Sequence, residues 1–291
     1  MKHHPIFDRF SPYSGHAPVH FHVCFIGDRV RNTVVDWAGA RLTTEVAASI
    51  PGFDEEYFEW IDLLEAVESA GDMFTMLELG AGYGRWSSRG AWAARQKGKQ
   101  YRLGLIEADP KHVAWIHEHM ADNEIPRSAY AVTEAAIDHE AKKTTFAIAH
   151  SEPVKNWFGQ FAVGSETGQF SGFYHGKPKK RLASGFEAIS VRCVKLSEVL
   201  RPWGRIDLAD FDLQGAEASA ICEAIDELTA KVKRLHIGTH GPEIEDRLRG
   251  ILSGAGWKLI RDYPCQGQNI ETDYGAISFV DGVQSWVNPT L

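Results

Sequence analysis

Apolar residues along this chain recur at two different periods. Tyr57, Trp60, Ile61, Leu64 and Val67 recur at helical spacing. They predict a helix from Glu55, capped by Asp54 and ended by Gly71-Asp72. Residues 74–79 form a short apolar run, read as a strand. The glycine loop Gly80-Ala81-Gly82-Tyr83-Gly84 follows, then a helix through Trp86 and Trp92. Residues 101–107 make a second strand. Pro110 starts a helix with Val113, Ile116 and Met120 on its buried stripe. A third strand is expected near 129–137 and a fourth at 206–211. A helix through Ala218, Ile221, Cys222 and Ile225 comes next. A fifth strand at 235–238 precedes a helix from Pro242 that presents Ile244, Leu248, Ile251 and Leu252. Gly254 and Gly256 stop that helix. Residues 257–260 and 276–280 supply two late strands. Strand–helix alternation of this length predicts an α/β fold with a mostly parallel sheet and helices on both faces. No helical pattern joins the last two strands, so they are expected to form a terminal antiparallel hairpin.

The alternation divides the chain into an N-terminal extension, 1–53, and a main domain, 54–291. It is interrupted at 151–186, a segment rich in Gly, Phe and Lys that carries the basic run Lys177-Pro178-Lys179-Lys180-Arg181. A long non-periodic insertion in a compact domain is usually a functional lid or mobile loop. It is expected to be a lid over the substrate, partly disordered without it. The extension contains His3, His4, His16, His20 and His22, whose spacing fits no metal motif. His20-Phe21-His22-Val23 instead alternates like a strand with one polar face.

Composition narrows the function. The 291 residues are 44% hydrophobic and 24% charged, which excludes wholesale disorder. The net charge of −8 disfavours a protein that grips phosphate backbones, so no nucleic-acid partner is expected. Cys24, Cys193, Cys222 and Cys265 form no CxxC pair and read as buried, reduced thiols. No signal-like start and no apolar stretch long enough to span a bilayer is seen, so a cytoplasmic protein without a membrane partner is expected. The sequence is silent on oligomeric state.

The chemistry centres on Glu78-Leu79-Gly80-Ala81-Gly82-Tyr83-Gly84, between a strand and a helix. Glycines let the backbone turn tightly and approach a ligand closely. Dinucleotide sites use Gly-x-Gly-x-x-Gly with a pyrophosphate on the helix N-terminus. Here the spacing is Gly-x-Gly-x-Gly, and Glu78 would repel a pyrophosphate. An acid there suits a cofactor with an ammonium and a sulfonium. Glu107 ends the second strand, where a carboxylate can accept both ribose hydroxyls.

With these motifs on the page, the chain resembles the class I S-adenosylmethionine-dependent methyltransferases, and more narrowly the FkbM family. Three stretches carry the narrower likeness. One runs from Ile206-Asp207-Leu208-Ala209-Asp210 through Phe211-Asp212-Leu213-Gln214-Gly215-Ala216-Glu217. The others are Leu235-His236-Ile237-Gly238-Thr239-His240 and Ala135-Ala136-Ile137-Asp138. Asp210 stands where that family commonly has Lys. The resemblance implies a Rossmann-like class I methyltransferase sheet and methyl transfer to a hydroxyl of a sugar or secondary metabolite. It implies S-adenosyl-L-methionine over Glu78, Gly80, Gly82 and Gly84, its ribose on Glu107 and its adenine beside Ala135 and Ala136. A base is needed for a weakly nucleophilic hydroxyl. His240 is expected to supply it as a neutral imidazole at pH 7, with Asp212 orienting it. Arg85, Tyr174 and His175 are candidates for the small-molecule or carbohydrate acceptor. Glu217 is read as support for its own helix. Asp210 and Asp212 could together hold Mg²⁺, but no third ligand is evident, so no metal is assigned. Two alternatives stay open: a nicotinamide-dependent sugar-modifying oxidoreductase, and a catalytically inactive methyltransferase-like binding module.

Overall fold

The computed structural model describes residues 3–35, 41–149, 159–164 and 166–291. The N-terminal stretch holds a 3-10 turn (Pro5–Arg9) and four short strands: β1 (Ser14–His16), β2 (Phe21–Val23), β3 (Arg29–Arg31) and β4 (Glu45–Ala47). β1 pairs with β4 and β2 with β3. Helix and strand then alternate: α1 (Tyr57–Ser69), β5 (Met73–Leu79), α2 (Arg85–Gln96), β6 (Gln100–Glu107), α3 (Pro110–Asp122) and β7 (Tyr130–Glu134). Six strands follow: β8 (Ala136–Ile137), β9 (Lys143–Ala149), β10 (Phe161–Gly164), β11 (Gly168–Tyr174), β12 (Lys177–Leu182) and β13 (Glu187–Val194). Alternation resumes with α4 (Leu196–Leu200), β14 (Leu208–Phe211), α5 (Glu217–Glu223), α6 (Ile225–Lys231), β15 (Arg234–Thr239) and α7 (Pro242–Gly254). The chain finishes with β16 (Lys258–Tyr263), β17 (Ile270–Thr272), β18 (Gly275–Ile277) and β19 (Gly282–Val287).

The central sheet has seven strands in the order β16-β19-β15-β14-β5-β6-β7. All are parallel except β19, which runs antiparallel to both β15 and β16. This is a doubly wound, Rossmann-like α/β sheet. The strand order reverses between β5 and β14, and ligands bind beyond the carboxyl ends of the strands at such a switch point.

Period-2 alternation explains the two faces. Phe74 and Met76 of β5 pack with Phe58, Ile61 and Leu64 of α1 and with Ala91 and Ala94 of α2. Leu77 and Leu79 point the other way, into a core with Phe211, Leu235, Ile221, Leu248 and Leu252. Each such side chain taken from water stabilises the fold by about 1.5–3 kcal/mol. The first core continues into residues 1–53: Ile6, Phe7, Phe10, Phe25 and Ile26 belong to it. The Phe7 and Tyr57 rings lie 5.1 Å apart, and the His4 backbone N–H donates to Tyr57 Oη at 2.8 Å. The extension therefore folds onto α1.

Four expectations need correction. First, 151–186 is not an irregular loop where it is described: β10 to β12 join β9 and β13 in an antiparallel sheet of order β10-β9-β13-β12-β11. Its residues 151–158 and 165 lie outside the described residues. Its lysines read as loop because their partners are remote in sequence. Lys177 pairs with Glu134 at 2.7 Å and Lys179 with Glu187 at 3.4 Å, while Arg181 also meets Glu187. Second, the run near 129–137 breaks at Ala135, whose N–H donates to Glu107 O at 2.9 Å. Beyond the break β8 leaves the main sheet and pairs with β13. Third, the partner of β16 is β19 and not 276–280. Residues 275–277 lie in a small β17–β18 hairpin, and Val283 and Trp286 supply the buried positions. Fourth, Cys222 is exposed, while Cys193 is buried and Cys24 and Cys265 are half-buried, all four thiols being free. No helix among the described residues is long and apolar enough to cross a membrane.

Candidate functional site

A cavity of about 590 Å³ opens at the carboxyl ends of β5, β6, β14 and β15. Glu78, Gly80, Gly82, Arg85, Glu107, Ala135, Ala136, Asp212 and His240 all line it, whereas Gly84, Tyr174 and His175 do not.

The glycine loop shapes one wall. Gly80 has φ +84°, and a Cβ there would lie 1.8 Å from the carbonyl oxygen of Asp212. The loop after β5 thus touches the end of β14 backbone to backbone. Gly84, at φ +81°, faces inward instead, where a Cβ would meet the side chains of Met120 and Leu105. Its glycine serves packing rather than the cavity. Glu78 accepts the N–H groups of Trp86 (3.0 Å) and Ser87 (2.9 Å), two of the orphan donors at the start of α2. Burial pushes its carboxyl up to about 7, against those hydrogen bonds. Glu107 accepts from Gly82 N at 2.8 Å and from Asp109 N at 2.7 Å, one bond to each oxygen. Oε2 keeps a second lone pair for a ligand, while Oε1 also has His112 Nδ1 at 3.8 Å.

On the opposite wall, His240 Nδ1 lies 2.8 Å from Glu217 Oε1. That oxygen also accepts from Leu213 N (3.0 Å) and Gly215 N (3.1 Å). Glu217 therefore closes the turn after β14 and orients the imidazole, a larger role than supporting its own helix. His240 Nε2 is 3.4 Å from Asp212 Oδ1 and 3.7 Å from Asp281 Oδ1. Burial works against a charged imidazole here. The Glu217 hydrogen bond and the charges of Glu217, Asp212 and Asp281 outweigh it and raise the ring's pKa to about 9. The expected neutral imidazole at pH 7 is thus corrected: three carboxylates hold the proton on it.

The floor of the cavity was not anticipated. Glu78, Asp210, His236 and Ser285 are register neighbours across β5, β14, β15 and β19, and all four are buried. They form a polar row on the α1 face of an otherwise apolar sheet. α1 lowers Glu59 and Asp62 onto this row. Asp62 meets His236 Nδ1 (2.8 Å), Arg234 (3.0 Å), Arg261 (2.8 Å) and the Ser285 hydroxyl. Burial pushes the Asp62 carboxyl up, but Arg261, Arg234 and His236 overcome it and hold it well below the usual carboxylate range. Asp210 lies beside Glu59, a carboxylate oxygen of each within 4.8 Å of the other. Burial, with the charges of Glu78 and Asp212, holds it well above that range. Asp210 and Asp212 do not act as a pair: Asp212 turns to His240 and receives the Gln214 amide at 2.6 Å. The sequence signal for the row was a charged or polar residue inside each of four largely apolar strands.

The acceptor candidates fare unevenly. The Arg85 guanidinium is buried against Glu56 and lies over Trp86, 5.6 Å from the ring centroid. Tyr174 Oη donates to Asp109 at 3.0 Å and fastens the second sheet to the residue that caps α3. His175 occupies the β11–β12 turn at φ +44°. Tyr174 and His175 are therefore not in the cavity, and the second sheet reaches it through Phe146, Gly159, Gln160 and Ala162 instead.

No family model matches the chain. At 27% identity over 274 residues it is similar to an inferred methyltransferase of Jannaschia sp. (strain CCS1), covering 89% of this chain and 93% of that one. Among solved structures it is similar to precorrin-6y C5,15-methyltransferase from Geobacter metallireducens GS-15. The TM-score is 0.42 at 10% identity, over 78% of this chain and 85% of that chain. It is also similar to methyltransferase FkbM from Methylobacillus flagellatus KT, with a TM-score of 0.41 at 15% identity. That match covers 74% of this chain and 44% of that chain.

Proposed function

We propose that this chain is an S-adenosylmethionine-dependent O-methyltransferase whose acceptor is a hydroxyl of a small, sugar-like or secondary-metabolite molecule. The observation that carries the reading is the charge of the cleft. Among the described residues, eight acidic side chains and one arginine line it, and that arginine is paired with Glu56. A dinucleotide pyrophosphate or a nucleic-acid backbone would be repelled there. A cofactor carrying an ammonium and a sulfonium is attracted.

The cavity residues fit such a cofactor. Gly80 lets the loop close against the Asp212 carbonyl, where a Cβ would strike backbone. Glu107 is fixed by two backbone donors and presents a free lone pair to a ribose. Ala135 and Ala136 make a small apolar wall beside it for a flat base. When bound, the cofactor supplies a methyl group on a cationic sulfur.

The chain's own contribution is alignment and proton handling. Glu217 fixes the His240 ring through Nδ1 and stabilises the charge that forms there. Nε2 faces Asp212 and the cavity, where it accepts the proton of the reacting hydroxyl once its own resident proton has left. The polar floor offers several oxygens to neighbouring hydroxyls of the acceptor, which favours a polyhydroxylated molecule.

Calorimetric titration with S-adenosylmethionine, S-adenosylhomocysteine and NAD⁺ tests the cofactor. The first two should bind and NAD⁺ should not; binding of NAD⁺ alone overturns the reading. A screen of sugars and sugar nucleotides for methyl uptake then tests the acceptor class.

A further inference from the structure

One grouping on the cleft floor is not used by the proton transfer just described. Glu59 from the first turn of α1, Asp210 from β14 and His236 from β15 each present one ligand atom, all within 4.8 Å of one another. Asp210 and His236 are register neighbours on adjacent parallel strands, so the sheet rather than a loop sets their spacing. His236 is only 3% exposed, yet it lines the cavity. Its Nδ1 is held by Asp62, which is anchored in turn by Arg234, Arg261 and Ser285. Its Nε2 has no hydrogen-bond partner among the described residues. Metal-ligating histidines almost always give their other ring nitrogen to a carboxylate in this way, which fixes tautomer and ring orientation.

We propose that Glu59, Asp210 and His236 form a binding site for one divalent first-row transition-metal ion, with its open positions toward the cavity. Two carboxylates balance the 2+ charge. The mixed nitrogen and oxygen donors favour ions from Mn²⁺ to Zn²⁺ over Ca²⁺, which takes oxygen ligands alone. The role of the ion rests on the methyl-transfer reading: it would hold an acceptor oxygen and make its hydroxyl more acidic. The binding itself does not rest on that reading.

The test is a titration of the full, chelator-stripped chain with MnCl₂, without cofactor or acceptor, read by loss of the free Mn²⁺ paramagnetic resonance signal. One Mn²⁺ per chain is expected, displaced by Zn²⁺ in line with the usual affinity order. Glu59→Gln and Asp210→Asn should each weaken binding by about 10–100-fold or more. Glu55→Gln, at a cavity carboxylate outside the group, should bind as wild type does. Thermal unfolding checks that each variant is folded. If Asp210→Asn is not, the half-buried Glu59→Gln decides. Absence of binding at millimolar Mn²⁺, or wild-type affinity in Glu59→Gln, overturns the proposal. Neither result bears on the cofactor titration, so the two ideas fail separately.

Discussion

On the β6–β7 side of the switch point the cleft is made mainly of backbone. On the β14–β15 side it is made of charged side chains. The glycine loop and Ala135–Ala136 present main chain and methyl groups, and the Glu107 carboxylate is held by two amide donors. The other side brings together Glu59, Asp210, Asp212, His236 and His240, and the charge of Asp212 raises the proton affinity of both Asp210 and His240. A backbone surface tolerates little change of shape. A side-chain surface tolerates changes of shape but not of charge. The first suits a ligand that stays the same. The second suits one that is chemically altered at that spot.

The sharpest break of this contrast is Gly80→Ala. A positive φ costs a side chain about 1–3 kcal/mol, and the added Cβ overlaps the Asp212 carbonyl. Cofactor binding should vanish in calorimetry and the melting temperature should drop. Gly84→Ala meets only the movable ends of Met120 and Leu105. It should lower the melting temperature yet keep measurable binding, and equal behaviour of the two variants would erase the distinction.

Next in size is His240→Gln, expected to lower kcat by about 10²–10⁴-fold with cofactor affinity little changed. The pKa near 9 sets the sign: below it the ring carries a proton and cannot accept another. The wild-type kcat/KM should therefore climb with pH to a limb near 9 that the variant lacks. A limb near 6–7 would show that the carboxylates around His240 do not hold its proton. The same raised pKa stabilises the fold fully below the ordinary imidazole value of 6.5. That contribution is lost as pH rises through about 9.

Glu107→Gln probes the carboxylate on the backbone side. It should weaken cofactor binding by about 1.5–3 kcal/mol, the worth of a hydrogen bond to a charged group. Unchanged affinity in the titration would take Glu107 out of the site. The smallest effect belongs to Tyr174→Phe. It removes the hydroxyl from Asp109 and should cost about 0.5–1.5 kcal/mol in denaturant unfolding. Since Tyr174 lies outside the cavity, cofactor affinity should not move, and a clear loss would return it to the site.

The same contrast governs what could be read from the sequence. Six of the seven main-sheet strands, the helices between them and the glycine loop were legible, because each is written in consecutive residues. The polar row was not. Glu59 lies on a helix whose apolar stripe hides it, and Asp62 looks like an exposed polar position on the same helix. Only the fold brings them to Asp210 and His236. The second sheet escaped for a related reason. Lys177, Lys179 and Arg181 look like a solvated run until Glu134 and Glu187 arrive from other strands. β19 was missed because Gly282-Val283-Gln284-Ser285-Trp286-Val287 is interrupted by two polar residues. Those residues face buried partners: Gln284 contacts Asp262 and Ser285 contacts Asp62.

The placement of β19 also sets an order of assembly. β15 and β16 are made earlier in synthesis yet are separated in the sheet by exactly one missing strand's width, which residues 282–287 fill. While the chain is still leaving the ribosome, the facing edges of β15 and β16 have open hydrogen-bonding groups, and Asp62 lacks the Ser285 hydroxyl. An open edge invites pairing with another chain. The cleft floor is therefore finished by a segment that emerges after the strands it joins, and a nascent chain stalled before residue 282 would have its glycine loop but an unsealed sheet.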